Sequence, residues 1–427
     1  MKTKPTYLFL FILILASCSG PRDEATEYVE INGKKIPLIN LGIVEESPAT
    51  IGWSSIFEDV EIIPLETDKK CMIKNWMTGL SPNSLYLATQ TGGVGPVRLM
   101  EFDFLGNYIR DFGGGGKGPG EHTGYFLEGI RHYPEFDMVL AEFNGYPMEN
   151  QLFKPDGKFI GEVKNSFELG TGMGMLEEDL FFTLGTSYGK PNYHRDSVLI
   201  EWHNTHGKPI KSIKREKYPP ENNLGFSPYG SGKSIYKYGE EWHLHSPGND
   251  TIYKIIGQEI TPIGIFDFGE KAVQLNDLVD PKAVIGHFNI EILSENENYW
   301  ILKKSVYTKC EVEHYGAGQW GGEVDFDYSF IFIDKSSRKT WNVQFEDDLL
   351  GIIPWDKMDY YLNWDDSGRF YIIVGAIDLI ENIDEALKNG KIPESGMEKV
   401  NILRQSIDEN SNPVLFMFRE RAKYLLE

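Results

Sequence analysis

The sequence predicts an all-β fold: a six-bladed β-propeller with four-stranded blades, its ring closed by strands from the N- and C-terminal parts of the chain. Three observations predict it. A strand–turn–strand unit returns at a fixed distance, a second kind of strand recurs six times, and one good strand is left over before the first repeat.

The returning unit is clearest at Leu99–Gly113, LMEFDFLGNYIRDFG. Apolar Leu99, Met100 and Phe102 precede the turn, and Tyr108, Ile109 and Phe112 follow it, in the partly alternating order of half-buried strands. Gly106 supplies the positive φ that a tight reversal demands. Cousins of the unit carry turn glycines Gly157, Gly207 and Gly257, at successive separations of 51, 50 and 50 residues. A fifth copy, Phe332–Lys339, has lost its glycine. A constant period of this size in β-rich sequence marks an array of blades and not a single sandwich.

The second series is a turn-like dipeptide followed by a short aromatic or aliphatic run. It stands at Asn83–Leu87, Phe136–Leu140, Glu178–Phe182, Glu240–Leu244, Asn298–Leu302 and Ser367–Ile372, which makes six blades. Each blade then has an inner strand, this run as its second strand, and the hairpin as its third and fourth. The inner strands fall near Trp76–Leu80, Gly129–Tyr133, Gly172–Leu176, Lys233–Tyr238, Asn289–Leu293 and Tyr360–Trp364. Ahead of them all, Phe57–Leu65 is a strand without a blade. A ring needs such a strand, because the last blade must borrow one from the other end or leave an open edge.

Taken in order, the chain divides at residues 17 and 50. Residues 1–17 read as a lipoprotein signal peptide: Lys2 and Lys4 open it, and Tyr7–Ala16 is ten apolar residues, too short to span a bilayer. Leu15-Ala16-Ser17-Cys18 resembles a bacterial lipobox, which makes Cys18 the lipidated first residue of the mature chain. Residues 18–50 read as a tether and an N-terminal segment with one weak hairpin around Asn32-Gly33, and 51–427 as the propeller. Gly113–His122, GGGGKGPGEH, contains GxGxxG, but Pro119 follows and no helix opens there; Lys117 precedes a glycine and not Ser or Thr. Neither a dinucleotide nor a P-loop site is expected, and the glycines read as close backbone packing between two blades. Residues 267–287 and 306–324 read as long loop insertions. Leu379, Ile383, Ala386 and Leu387, then Val400 and Leu403, follow helical spacing, so a helical insertion is expected over about 378–406. Asn412–Phe418 returns to strand.

The chain carries 64 acidic against 42 basic residues, a net charge of −22 that becomes −24 once the signal peptide with its two lysines is removed. Such a balance argues against nucleic acid or an anionic lipid surface as partner, so membrane contact is expected through the lipid anchor alone. Cys71 and Cys310 are the other two cysteines; spacing does not decide whether they bond, and two buried free thiols are the commoner outcome.

The lipobox, the segment SIFEDVEIIPLET (Ser55–Thr67), the FDFLGNYIRDFG hairpin leading into GGKGPGEH, and NPVLFMF together resemble the six-bladed β-propeller lipoproteins of Bacteroidetes, a group related to NHL-repeat propellers. The resemblance runs from about Ser55 to Phe418, and departs from the group at His122, where an aromatic is usual, and at the missing fifth glycine. It implies the fold and a place in the cell envelope, as an outer-membrane lipoprotein facing the periplasm or the exterior. It carries over no catalytic residue.

Propellers place ligands at one mouth of the central channel, where inner strands and their loops converge. The ligand-binding candidates there are His122, Arg131, Tyr236, His287, Glu291 and Asn363. The leading expectation is a binding or scaffold module for a small molecule, a glycan or an envelope protein. The alternative is a hydrolase or lyase at the channel mouth. Ca2+ is its candidate cofactor, with Glu291 and Asn363 as donors but no convergent set in the sequence.

Overall fold

A computed structural model of the protein describes residues 28–41, 47–73, 75–80, 84–90, 97–116, 118–122, 126–144, 149–164, 170–185, 198–214, 235–245, 250–271, 281–316, 319–353, 362–364, 369–421 and 424. The chain is an all-β propeller of six sheets, numbered here as blades in chain order. Blade 1 is Asn75–Leu80, Ser84–Gln90, Val97–Asp103 and Tyr108–Phe112, blade 2 is Phe126–Tyr133, Met138–Asn144, Glu149–Phe153 and Phe159–Val163, and blade 3 is Gly170–Glu177, Leu180–Gly185, Val198–His203 and Pro209–Lys214. Blade 4 begins with Ile235–Tyr238, Glu241–His245, Thr251–Ile256 and Glu259–Asp267, and blade 5 with Phe288–Glu295, Tyr299–Gly316, Gln319–Asp334 and Thr340–Glu346. Blade 6 is Leu362–Trp364, Phe370–Val374, Val414–Glu420 and, outermost, Phe57–Pro64. Pairing within each four-stranded set is antiparallel throughout. The first strands of blades 1 and 2, 2 and 3, 3 and 4, and 5 and 6 adjoin one another, which sets them around the axis.

Ring closure is as the leftover strand requires. Phe57–Pro64 pairs antiparallel with Val414–Glu420 from Val414↔Pro64 to Glu420↔Phe57. Just beyond it the Asn412 side chain accepts from the Ile73 amide at 2.9 Å and donates to the carbonyls of Glu66 and Cys71 at 2.6 and 2.8 Å, tying the closing strand to the entry of blade 1. Alternation explains the cores. Residues of one parity fill the seam on one side of a blade and those of the other parity the next seam, as Tyr86 and Ala88 do against blade 2 while Leu85 and Leu87 face blade 6.

The turn glycines Gly106, Gly157, Gly207 and Gly257 all have positive φ, between +55° and +86°. At the fifth hairpin Arg338 takes φ +60° in glycine's place. Cys71 and Cys310 are buried and unbonded.

Three sequence readings change. The hairpin expected around Asn32-Gly33 forms from Tyr28–Ile31 and Lys34–Asn40, but the segment at 18–50 is more than a tether where it is described: Lys34–Asn40 pairs in parallel with the outer strand of blade 4 (Leu38↔Ile265), and Ala49–Gly52 pairs in parallel with that of blade 5 (Val343↔Ala49). Ile39 and Leu41, at 1% and 0% exposure, become core residues by doing so. The expected loop at 306–324 is an antiparallel ribbon that prolongs the second and third strands of blade 5 to Gly316↔Gln319. Its Gly and charged residues hide the alternation that would have marked it. The helical insertion starts two residues early, as α1 (Ala376–Asn389) and α2 (Glu394–Ser406). These helices pack Leu379, Ile383, Val400 and Leu403 with Val343, Phe345 and Phe416 in the core shared by blades 5 and 6. Gly396 lets α2 approach the Leu349 carbonyl to where a Cβ would sit 2.5 Å away.

Candidate functional site

The described residues of the glycine loop close on the loop's own Glu121. The Gly118 amide donates to the Glu121 carboxylate at 2.7 Å, a Cβ on Gly116 would lie 2.1 Å from the same carboxylate, and Gly114-Gly115 pairs in parallel with Glu121-His122. His122 is fully buried, its ring stacked 3.8 Å from that of Phe143 in the seam of blades 1 and 2.

Arg131, on the inner strand of blade 2, works in the next seam. It donates to Glu142 at 2.7 Å and to the Met173 carbonyl of blade 3 at 2.6 Å, while Glu142 accepts the Met173 amide at 3.1 Å. The pair thus holds both the N–H and the C=O of one residue of blade 3. That blade's inner strand runs GTGMGM, and Gly174 leaves the space that the Phe182 ring takes, 2.2 Å from where a Cβ would be. Over it, Trp242 of blade 4 reaches Tyr133 of blade 2 (ring centroids 6.2 Å apart), and Lys237 meets Glu135 at 2.8 Å.

Tyr236, on the inner strand of blade 4, points into the seam with blade 5. There three donors converge on Glu295: the Tyr236 hydroxyl at 2.8 Å and His243 Nδ1 at 2.7 Å on one oxygen, and Lys335 Nζ at 2.6 Å on the other. Lys335 also lies 4.5 and 4.6 Å from the rings of Tyr238 and Trp300. Burial alone would raise the Glu295 carboxyl, but the bonds and charge of His243 and Lys335 outweigh it and hold the group at about 2. Burial, then the neighbouring carboxylate, pushes the Tyr236 phenol well above its usual range, and burial lowers Lys335. The chemistry available is that of a lock: an ionised carboxylate with its proton donors already spent on it, and a phenol that keeps its proton.

The other candidates do not join these. His287 gives its amide to the Val284 carbonyl at 2.9 Å at the entry to blade 5. Glu291 stands opposite Lys303 in blade 5, and Asn363 opposite Tyr371 in blade 6, on adjoining inner strands. Cys18 lies outside the described residues. Among the described residues no three His, Cys, Asp or Glu side chains gather as a group able to hold a metal ion.

A cavity the sequence did not announce lies on the outer side of blade 6. It is an open groove of about 720 Å³ between α2 and the closing strands, with Val60, Ile62, Ile402 and Met417 among its apolar lining and Arg369, Lys399 and Arg419 among its cations. Ile402 is 61% exposed. Along its edge the strand Phe57–Pro64 is already capped: Lys399 donates to the Val60 carbonyl at 2.9 Å, and Asp59 accepts the Val60 amide at 2.8 Å. Lys399 and Arg419 both reach Asp59, at 2.6 and 3.4 Å. At one end Glu420 accepts from Asn296 at 3.0 Å, and burial raises its carboxyl to about 7. Helical spacing in the sequence points Leu403 inward, and its neighbour Ile402 was the one signal available for this wall.

Residues 36–419 match a family described as a domain of unknown function, DUF4934. The chain belongs to that family. No curated protein matches it. Among solved structures, a protein of Bacteroides fragilis named as exported is similar over 90% of this chain and 99% of its own, at 16% identity and a TM-score of 0.64. That likeness speaks for the fold of the DUF4934 chain. A DUF4221 member from Bacteroides vulgatus is 13% identical over 86% of this chain and 97% of its own, with a TM-score of 0.45. The WD40 domain of Toxoplasma gondii coronin is 9% identical over 74% of this chain and 70% of its own, with a TM-score of 0.36.

Proposed function

We propose that this chain is a lipid-anchored, extracytoplasmic binding module of the NHL-related propeller type, held at the outer membrane through Cys18, and that the groove beside α2 seats its ligand. The observation that carries this reading is a contrast between two places. In the inner seams Arg131, Tyr236 and Glu295 are committed to neighbouring side chains or to backbone. The groove of about 720 Å³, within the size range of small-molecule sites, is open and floored by apolar side chains. Lys399 and Arg419 are paired with Asp59, which favours a ligand with an apolar body, either a small molecule or glycan with an apolar face or a segment of an envelope protein. Support for the location comes from the signal-peptide pattern of residues 1–18 and from the exported relative; among the described residues no helix is long and apolar enough to cross a membrane.

A thermal-shift screen of glycans, small amphipathic molecules and metal ions, run in parallel on wild type and Ile402→Glu, tests it. A ligand that raises the wild-type melting temperature and leaves Ile402→Glu unmoved places binding in the groove. A ligand whose shift survives Ile402→Glu but disappears in a Glu291→Gln variant returns the site to the channel.

A further inference from the structure

On the sequence argument the membrane meets this chain at one residue, Cys18. The first described element after it is the hairpin Tyr28–Ile31 and Lys34–Asn40, built onto the rim of blade 4. Only Ser19–Glu27 lies between. Fully extended, the ten peptide steps from Cys18 to Tyr28 span at most about 35 Å. The ring itself is wider: two opposed blades of four strands and the channel between them come to roughly 45 Å. An anchor on so short a lead therefore holds one particular rim toward the bilayer.

That rim has the chemistry of a membrane surface. Tyr28 and Val29 are 49% and 38% exposed, and Lys34 and Lys35 stand exposed on the paired strand, opposite Ile31 and Glu30. The Arg338 guanidinium lies 4.4 Å from the Tyr28 ring and fixes the hairpin to the last turn of blade 5, where Lys339 is also exposed. Arg338 thus lies against an exposed aromatic, Lys35 shares that face of the hairpin opposite the exposed Glu30, Lys34 stands on the other face at its turn, and Lys339 follows Arg338, in a chain whose net charge is −22. Tyrosine favours the headgroup level, lysine keeps its charge in water above an apolar layer, and clustered Lys and Arg are drawn to anionic lipid.

We propose that the Tyr28–Asn40 hairpin is a second membrane contact, lying on the anionic bilayer surface that holds the anchor and setting the propeller edge-on with the rim of blade 4 down. The proposal rests on the lipidation reading above. It refines the expectation, drawn from overall charge, that the anchor alone meets the membrane, because charge is averaged over a chain and contact is made by a patch.

The test uses the full, acylated chain in vesicles of phosphatidylethanolamine and phosphatidylglycerol containing a spin-labelled lipid. A fluorophore is attached at Val29→Cys, or at Ile160→Cys on the rim of blade 2, which is 42% exposed; Cys71 and Cys310 are buried from the reagent. Quenching should be at least about threefold stronger at position 29, and the contrast should disappear in Lys34→Glu/Lys35→Glu and shrink in about 0.5 M salt. Equal quenching at the two positions in the anchored protein overturns this orientation and leaves the anchor standing. Membrane fractionation unchanged by Cys18→Ala overturns the anchor, and the orientation with it. The charge-reversed variant is first shown to melt with the wild type, since both lysines are exposed.

Discussion

A buried and a half-buried carboxyl sit at the same inner turn of blade 5 and respond to pH in opposite directions. Glu295 is held at about 2, below its unfolded value near 4.5. Its contribution is present above pH ~4.5 and is lost as the pH falls from there toward 2, because the unfolded chain then takes up the proton more readily. Glu420 is raised to about 7, so the folded chain binds the extra proton, and its contribution is present below pH ~4.5 and is lost as the pH rises through 7. Urea titrations should therefore show Glu420→Gln more stable than wild type at pH 8 by about 2 kcal/mol, with the gap closing by pH 5. A gap that stays constant from pH 5 to 8 would sink the assignment. Glu295→Gln strands Lys335 beside a neutral side chain and should cost about 3 kcal/mol at pH 7, the usual scale for removing one partner of a buried pair. None of this was legible beforehand. Tyr236 and Glu295 are 59 positions apart, His243 and Glu295 52, Arg131 and Met173 42. Each separation is near one repeat, so the period says how far away a seam partner lies without saying which side chain it is.

At the scale of the element, what could be read were features enforced locally. Gly106 is one: φ is +86°, and a Cβ would lie 2.2 Å from the Pro64 carbonyl of the closing strand. Gly106→Ala should thus combine a strained φ with a backbone clash and cost about 2–3 kcal/mol by thermal or urea unfolding. Gly257→Ala, with φ +55° and open space around it, should cost only about 1 kcal/mol. Equal costs at the two turns would show that φ alone sets the requirement. The helices were readable for a similar reason, since Leu379, Ile383 and Ala386 mark one face and Gly390 ends α1 with φ +63°. The ribbon to Gly316 was not, because its glycines and charged residues hide the alternation, and although the hairpin around Asn32-Gly33 could be read, its place beside blade 4 and that of Ala49–Gly52 beside blade 5 could not, because those pairings depend on a partner strand far away in sequence. Lys34–Asn40 and its partner near Ile265 are more than 220 residues apart, and nothing local to either marks the match.

For the molecule as a whole, closure is the step on which the six seams depend. Phe57–Pro64 is the outer strand of blade 6, and its loss would bare the full edge of Val414–Glu420 together with Phe416 and Phe418, now 0% and 5% exposed. An unpaired apolar edge of that length is a template for intermolecular pairing. A chain beginning at Glu66, which also lacks the strands added to blades 4 and 5, should accordingly aggregate, or melt far below the full chain, whereas blades 1–3 keep all four of their strands in the sequence that remains. Since the missing strands make their contacts through edge ladders and the cores beside them, a synthetic peptide Tyr28–Thr67 supplied in trans should pair with the vacant edges and restore a monomer. The same peptide with Ile62→Lys and Ile63→Lys should not, because those side chains face the core of blades 5 and 6 and the core of blades 6 and 1 respectively. Size-exclusion chromatography with light scattering reads both results. A shortened chain that stays monomeric and melts with the full one would mean that packing around the axis, and not the borrowed strand, holds the ring shut.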